Sequence, residues 1–288
     1  MNNKLSTGLV ALLPDIREAI LTRRKPILWS LGDGFGAVDI GPNLILTLTA
    51  PSNEGKSALS MQWAFNALYL NPSLRVMIAN CEMPTDKVIE REISRQAKVY
   101  CSSIHHRTFR DDDEKDKIEY AIEKIAKVAD RIRFFNDDNI TTEADELPWR
   151  AMLDEAHNTC DLLIIDYLQT YAQPPSGMDE RTAINNFMRD VKMLANNGKG
   201  IIIVSSVNRL IATKKTRSDA DMMASGSGSS GIEYKADNQY FLSRKNDDDG
   251  KEKVQLRQTK SRYGQRIHLS LRHIPHFHTF EVIPGGLE

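Results

Sequence analysis

The chain is poor in cysteine, in long apolar runs and in net charge, and each scarcity narrows what it can be. Its three cysteines, Cys81, Cys101 and Cys160, are far apart and form no C-x-x-C pair, which argues against a disulfide framework or a structural zinc site. No segment approaches the roughly 20 apolar residues that span a bilayer. "GLVALL" near the start runs into Pro14 and Asp15 without a small-residue cleavage pattern, so no secretory signal is expected and the chain reads as cytoplasmic, with no membrane partner. The formal net charge of −1 excludes a polycation. That charge is unevenly spread: residues 201–288 hold 14 Lys+Arg against 10 Asp+Glu, and residues 1–200 hold 24 against 29. The last third is therefore the place to look for phosphate contacts.

What is present is an ordinary globular composition, 41% hydrophobic and 27% charged, in 288 residues, enough for one large α/β domain with a full core. From about Asn43 a pattern repeats: an apolar, β-branched run, a turn, then a segment of helical period. "LILTLTA" (44–50), "RVMIAN" (75–80), "RIRFF" (131–135), "DLLIIDY" (161–167) and "GIIIVSS" (200–206) read as buried strands. Helices are expected at 56–70, from Pro84 through "DKVIEREISRQAKV", along "EKDKIEYAIEKIAKVADRI", and at roughly 147–158 and 179–197. Strands alternating with helices imply βαβ crossovers and an open, mainly parallel sheet with helices on both faces. The tail changes character: "NQYFLSR", "KVQLRQTK", "QRIHLSLRH" and "FHTFEVI" are short strands between turn residues, which predicts an antiparallel hairpin extension. Before the core, "LVALLPDIREAILTRR" is an amphipathic stretch interrupted by Pro14 and ending basic. The acidic run Asp111 to Glu114 reads as the solvated first turn of a helix.

Residues 49–60, TAPSNEGKSALS, carry the first chemical signal. A G-K-[ST] tripeptide arises by chance in a chain of this length with a probability of roughly 0.1–0.2. Here it follows a predicted strand and opens a predicted helix, the context in which loop and helix N–H groups surround a phosphate. Gly55 allows close backbone approach, Lys56 reaches the terminal phosphates, and the Ser57 hydroxyl ligates Mg²⁺. The candidate cradle is Ala50, Pro51, Ser52, Asn53, Glu54, Gly55, Lys56 and Ser57, with alanine where the usual pattern has its first glycine. Asp166 ends an apolar strand at the carboxyl edge, where open α/β sheets hold ligands, and is the candidate Mg²⁺ aspartate. Glu82 ends the second strand at the same edge and is placed to polarise a water.

With those residues on the page, "APSNEGKS", "CEMP", "LLIIDYLQ", "VNR" after "IIIVSS", "SSGIEYKADN" and "KSRYG" resemble, in order and spacing, the ATPase domain of DnaB-type replicative DNA helicases. The resemblance implies a RecA-like P-loop NTPase core over residues 41–288, with residues 1–40 as an arm or linker. It implies ATP and Mg²⁺ as cofactors, single-stranded DNA as partner, a homo-oligomer that is most simply a hexameric ring, and a replication initiator or loader as a further partner. Glu82 becomes the catalytic carboxylate. Lys260 and Arg262 of "KSRYG" match a basic finger that enters the neighbouring subunit's site, where an arginine stabilises charge on the transferring phosphoryl group. Lys214, Lys215 and Arg217 fall where the family places a DNA-contacting loop, without aromatic residues to stack on bases.

Two departures qualify the match. The family ends its motif strand with a glutamine that senses the γ-phosphate, and this chain has Ser206, whose hydroxyl is too short to span the same gap. About 40 residues precede the core, where the family has a larger helical domain, so a minimal relative or a stand-alone ATPase is expected. An ATP-binding assembly or loader module without unwinding activity is the alternative function. The histidines at 268, 273, 276 and 278 lack a supporting ligand pattern and read as surface and packing residues.

Overall fold

A computed structural model describes residues 8–80, 82–135, 147, 149–174, 177–207, 234–246 and 252–287. An amino-terminal helix α1 (Leu9–Leu21) precedes β1 (Ile45–Ala50), α2 (Lys56–Leu70) and β2 (Val76–Asn80). Then come α3 (Thr85–Ala97), α4 (Cys101–His106), α5 (Asp112–Ala126), β3 (Ile132–Phe135), α6 (Trp149–Thr159) and β4 (Leu162–Asp166). A short α7 (Leu168–Tyr171), α8 (Glu180–Asn196) and β5 (Gly200–Ser206) complete the alternating part. The last strands are β6 (Asn238–Asn246), β7 (Glu252–Ser261), β8 (His268–Ile274) and β9 (Thr279–Leu287). The described strands form one sheet in the order β3-β2-β4-β5-β1-β6-β7-β8-β9.

The parallel half is buried on both faces because its central strands are mostly apolar. Successive side chains of a strand point to opposite faces, and the core divides accordingly. Leu46, Leu48, Ile78, Ile164 and Ile202 pack with α2 on one side. Ile45, Met77, Leu163, Ile165, Ile201 and Ile203 pack with α6 and α8 on the other. Each such fully buried side chain contributes about 1.5–3 kcal/mol, so the sheet is a rigid platform for the loops at its ends.

Two sequence expectations change in detail. β6 belongs to the antiparallel hairpins only on one side: it pairs antiparallel with β7 but parallel with β1, Leu46 facing Asn238. The stretch between β5 and β6 is long enough for the crossover that a parallel pairing needs. Helix α1 runs through Pro14 instead of breaking there. The carbonyl of Val10, which loses its helical partner to the missing proline N–H, belongs to a residue 85% exposed, where water can serve it. The acidic run does what its charge predicts: Asp111 caps α5 by accepting the Glu114 N–H at 2.9 Å.

Candidate nucleotide-binding site

Strand register assembles the site. Ala50 at the end of β1 faces Ser206 at the end of β5, and Asn80 at the end of β2 faces Asp166 at the end of β4. The loops that follow these strands therefore leave the sheet at one level. β5 lies between β1 and β4, so the phosphate-loop strand and the Asp166 strand stand roughly 10 Å apart, two strand spacings, with a crevice between them.

The loop from Pro51 to Gly55 turns through two left-handed residues, Asn53 at φ 65° and Gly55 at φ 87°. Gly55 is needed twice over, since a Cβ there would also stand 2.7 Å from the Phe280 ring. Helix α2 begins at Lys56 with no side-chain cap, unlike α5 and α8, which Asp111 and Asp179 cap. Its first N–H groups are left to the crevice, an anion site by geometry and dipole.

Beside the helix start, Asp166 is 1% exposed and accepts a hydrogen bond from the Ser57 hydroxyl. Burial pushes its carboxyl up to about 6; the Glu82 charge adds to that, and the Ser57 bond, Lys56 and Arg91 oppose it. A desolvated carboxylate touching a hydroxyl is a donor pair suited to a hydrated Mg²⁺ bound also by phosphates, which needs few protein ligands. Glu82 is held over the same crevice by Asn80, whose side chain accepts the Glu82 N–H and donates to the Met83 carbonyl, each at 3.1 Å. Glu82 itself is exposed, open to a water molecule.

Lys56, Ser57, Glu82 and Asp166 thus come together, and two residues without a sequence signal join them. Arg91 of α3 and His278 line the same pocket. His278 arrives from the β8–β9 connection, which no local pattern ties to the phosphate loop. Burial, then Arg91 and His273, push its imidazole down to about 4, so it is neutral at pH 7. The other histidines of that region do pack as expected: His273 stacks on Phe280 at 4.4 Å and His276 on Tyr100 at 4.9 Å.

Ser206 does not stand alone at the end of β5. Gln169 of α7 donates to the Ser205 hydroxyl at 2.9 Å and accepts the Ser206 N–H at 3.3 Å, so an amide side chain spans β4 and β5 from the other direction.

Lys260 and Arg262 lie elsewhere. Arg262 pairs at 3.0 Å with Asp237, which is 1% exposed, and Lys260 donates to the Ala236 carbonyl at 2.9 Å. Asp237 also pairs with Lys192 at 3.3 Å and accepts the Ile45 N–H at 2.9 Å. Ile45 opens β1 and Ala50 closes it, so this cluster sits at the amino edge of the sheet, roughly 17 Å of strand from the phosphate loop. Lys214, Lys215 and Arg217 lie outside the described residues.

Comparisons with known proteins agree with this geometry. Residues 40–282 match the family model for the DnaB-like helicase C terminal domain. Among curated proteins, a probable plasmid replicative DNA helicase of Chlamydia psittaci is 26% identical over 225 residues, 75% of this chain and 46% of that protein. The replicative DNA helicase DnaB of Haemophilus influenzae is 25% identical over 211 residues, 70% of this chain and 42% of that protein. The chain thus aligns with less than half the length of these relatives. Among solved structures, an isolated ATPase domain superposes with a TM-score of 0.79 at 21% identity, covering 96% of this chain and 99% of that one. A DnaB-like replicative helicase, described with its primase interactions, superposes at 0.77 and 20% identity, covering 96% and 67%. The family match spans most of the sequence and the fold agrees with it: the chain belongs to the DnaB-like helicase C-terminal domain family.

Proposed function

We propose that this chain is an ATP-hydrolysing motor of the DNA helicase or translocase type, with Mg²⁺ as cofactor and active sites completed between subunits of a ring, most simply a hexamer. One observation carries the reading. Lys56, Ser57, Glu82 and Asp166 converge at the carboxyl edge of the sheet, while Arg262 sits at the amino edge. An arginine that far from its own phosphate loop cannot serve it, so the neighbour's site is the one within its reach.

In this reading the backbone at the start of α2 and Lys56 hold the phosphates. Ser57 and Asp166 hold Mg²⁺, which supplies charge neutralisation between phosphate oxygens when bound. Glu82 takes a proton from the attacking water, and the neighbour's Arg262, assisted by Lys260, stabilises charge on the transferring phosphoryl group. Helix α1 supports assembly: Leu9, Leu13, Ile16 and Ile20 are exposed, and none of its residues is buried against the described part of the chain. Single-stranded DNA, contacted through Lys214, Lys215 and Arg217, and a replication initiator or loader complete the proposal, in keeping with the replicative helicase names of the relatives.

The test is ATP turnover with and without single-stranded DNA at low salt. A motor is stimulated by the DNA and loses turnover in Lys56→Ala. Turnover that DNA neither binds to nor raises would leave the alternative, an ATP-driven assembly or loader module, for which Ser206 at the sensor position is the supporting feature.

A further inference from the structure

Glu54 puts a carboxylate inside the phosphate loop, one residue before Gly55. The loop's backbone N–H groups and the start of α2 are arranged for an anion, and a second negative charge next to the cradle opposes one. The structure answers this charge from the carboxyl-terminal half of the sheet. Thr49 of β1 faces Phe241 of β6, so three residues further along β6, Arg244 lies level with the phosphate loop. Its Nε is 3.0 Å from the Glu54 carboxylate, with the two side chains only 25% and 20% exposed. Its Nη2 is 3.0 Å from Nδ1 of His273. His273 stacks on Phe280, and the Phe280 ring covers Gly55 so closely that only a glycine fits. Phe280 is fixed in turn by Gln62 of α2, which donates to its carbonyl and accepts its N–H, both at 2.8 Å. The contacts run in a closed ring: Glu54, Arg244, His273, Phe280, Gly55.

We infer that Arg244 is the counter-charge of the phosphate loop: by neutralising Glu54 it makes the loop acceptable to a nucleoside polyphosphate, while His273 and Phe280 hold guanidinium and loop in register. The inference rests on the reading of this loop as a nucleotide cradle. Arg244 is on these terms a positioning residue that acts through Glu54, and Glu54 sets the affinity of the site. Removing the arginine alone leaves the carboxylate beside the phosphates. Removing the carboxylate takes away the need for the arginine.

The experiment is calorimetric titration with an ATP analogue carrying a non-hydrolysable β,γ bond, on the full chain. The variants are Arg244→Ala, Arg244→Lys, Glu54→Gln, the double variant Glu54→Gln with Arg244→Ala, and Lys56→Ala. Arg244→Ala should weaken binding by roughly ten- to a hundredfold, and Arg244→Lys by much less. Glu54→Gln should bind at least as tightly as wild type. The double variant should return to within about threefold of Glu54→Gln, a non-additivity that general loosening of the site does not produce. A loss from Arg244→Ala that is equally large in the Glu54→Gln background would overturn the inference. So would a tenfold weakening by Glu54→Gln alone, which decides the matter even if the arginine variants fail to fold. Wild-type binding that Lys56→Ala leaves intact would place the nucleotide elsewhere and sink the cradle reading itself, a result distinct from either of these.

Discussion

Two aspartates, each 1% exposed, occupy opposite edges of the same sheet and are treated differently by the fold. Asp166, at the carboxyl edge, touches a hydroxyl, and its carboxyl is pushed up to about 6 by burial. Asp237, at the amino edge, is met by Lys192, Arg262 and the Ile45 N–H. One carboxylate is kept under-compensated, which suits a cation that comes and goes. The other is compensated by the chain itself, which suits a structural anchor that also holds Arg262 in place. A buried acid is therefore not one kind of feature: its partners separate a site from a scaffold.

Substitutions at the two edges should part company. The largest effect is on catalysis: Arg262→Ala should lower ATP turnover by about a thousandfold or more, while nucleotide titration of the same protein stays near wild type. Equal loss of both would place the arginine in its own chain's site. Next, Asp237→Asn should cost about 2–3 kcal/mol in urea unfolding, because Lys192 and Arg262 lose their partner; their partial exposure keeps the cost below that of a fully enclosed pair. Asp166→Asn should have the opposite sign, raising stability by up to about 1–2 kcal/mol as a desolvated charge disappears, and should abolish the Mg²⁺ dependence of nucleotide binding. The smallest effect belongs to His278. Unfolded, its imidazole takes a proton below about pH 6.5; folded, it resists until about pH 4. Stability is thus lost as pH falls through that window, by about 1 kcal/mol once solvent screening is allowed for. His278→Gln should flatten the melting temperature between pH 6.5 and 4, and an unchanged slope would assign the acid sensitivity to other groups.

The two edges also differ in how much the sequence discloses. The carboxyl edge is legible because its chemistry is local: TAPSNEGKS and IIDY each join a buried strand to the residue it presents, and period and motif agree. Lys56, Ser57, Glu82 and Asp166 follow from that alone as neighbours. Arg91 and His278 do not, because they reach the pocket through packing of α3 and the β8–β9 connection, contacts almost 200 residues apart in the case of His278 and Glu82. Asp237 is visible only as part of a motif; its pairing with Arg262 depends on β6 lying parallel to β1, which the hairpin-like spacing of the tail conceals. Glu54 reads as a filler position in the phosphate loop until Arg244 is found against it.

The central claim, that the carboxyl edge of one subunit is completed by the amino edge of the next, is tested most directly by mixing two dead proteins. Lys56→Ala and Arg262→Ala should each be inactive. An equimolar mixture should recover roughly a quarter of the wild-type turnover per interface, the fraction of randomly formed head-to-tail contacts that pair an intact phosphate loop with an intact arginine. A mixture of folded, co-assembled subunits that stays as inactive as its components would contradict it.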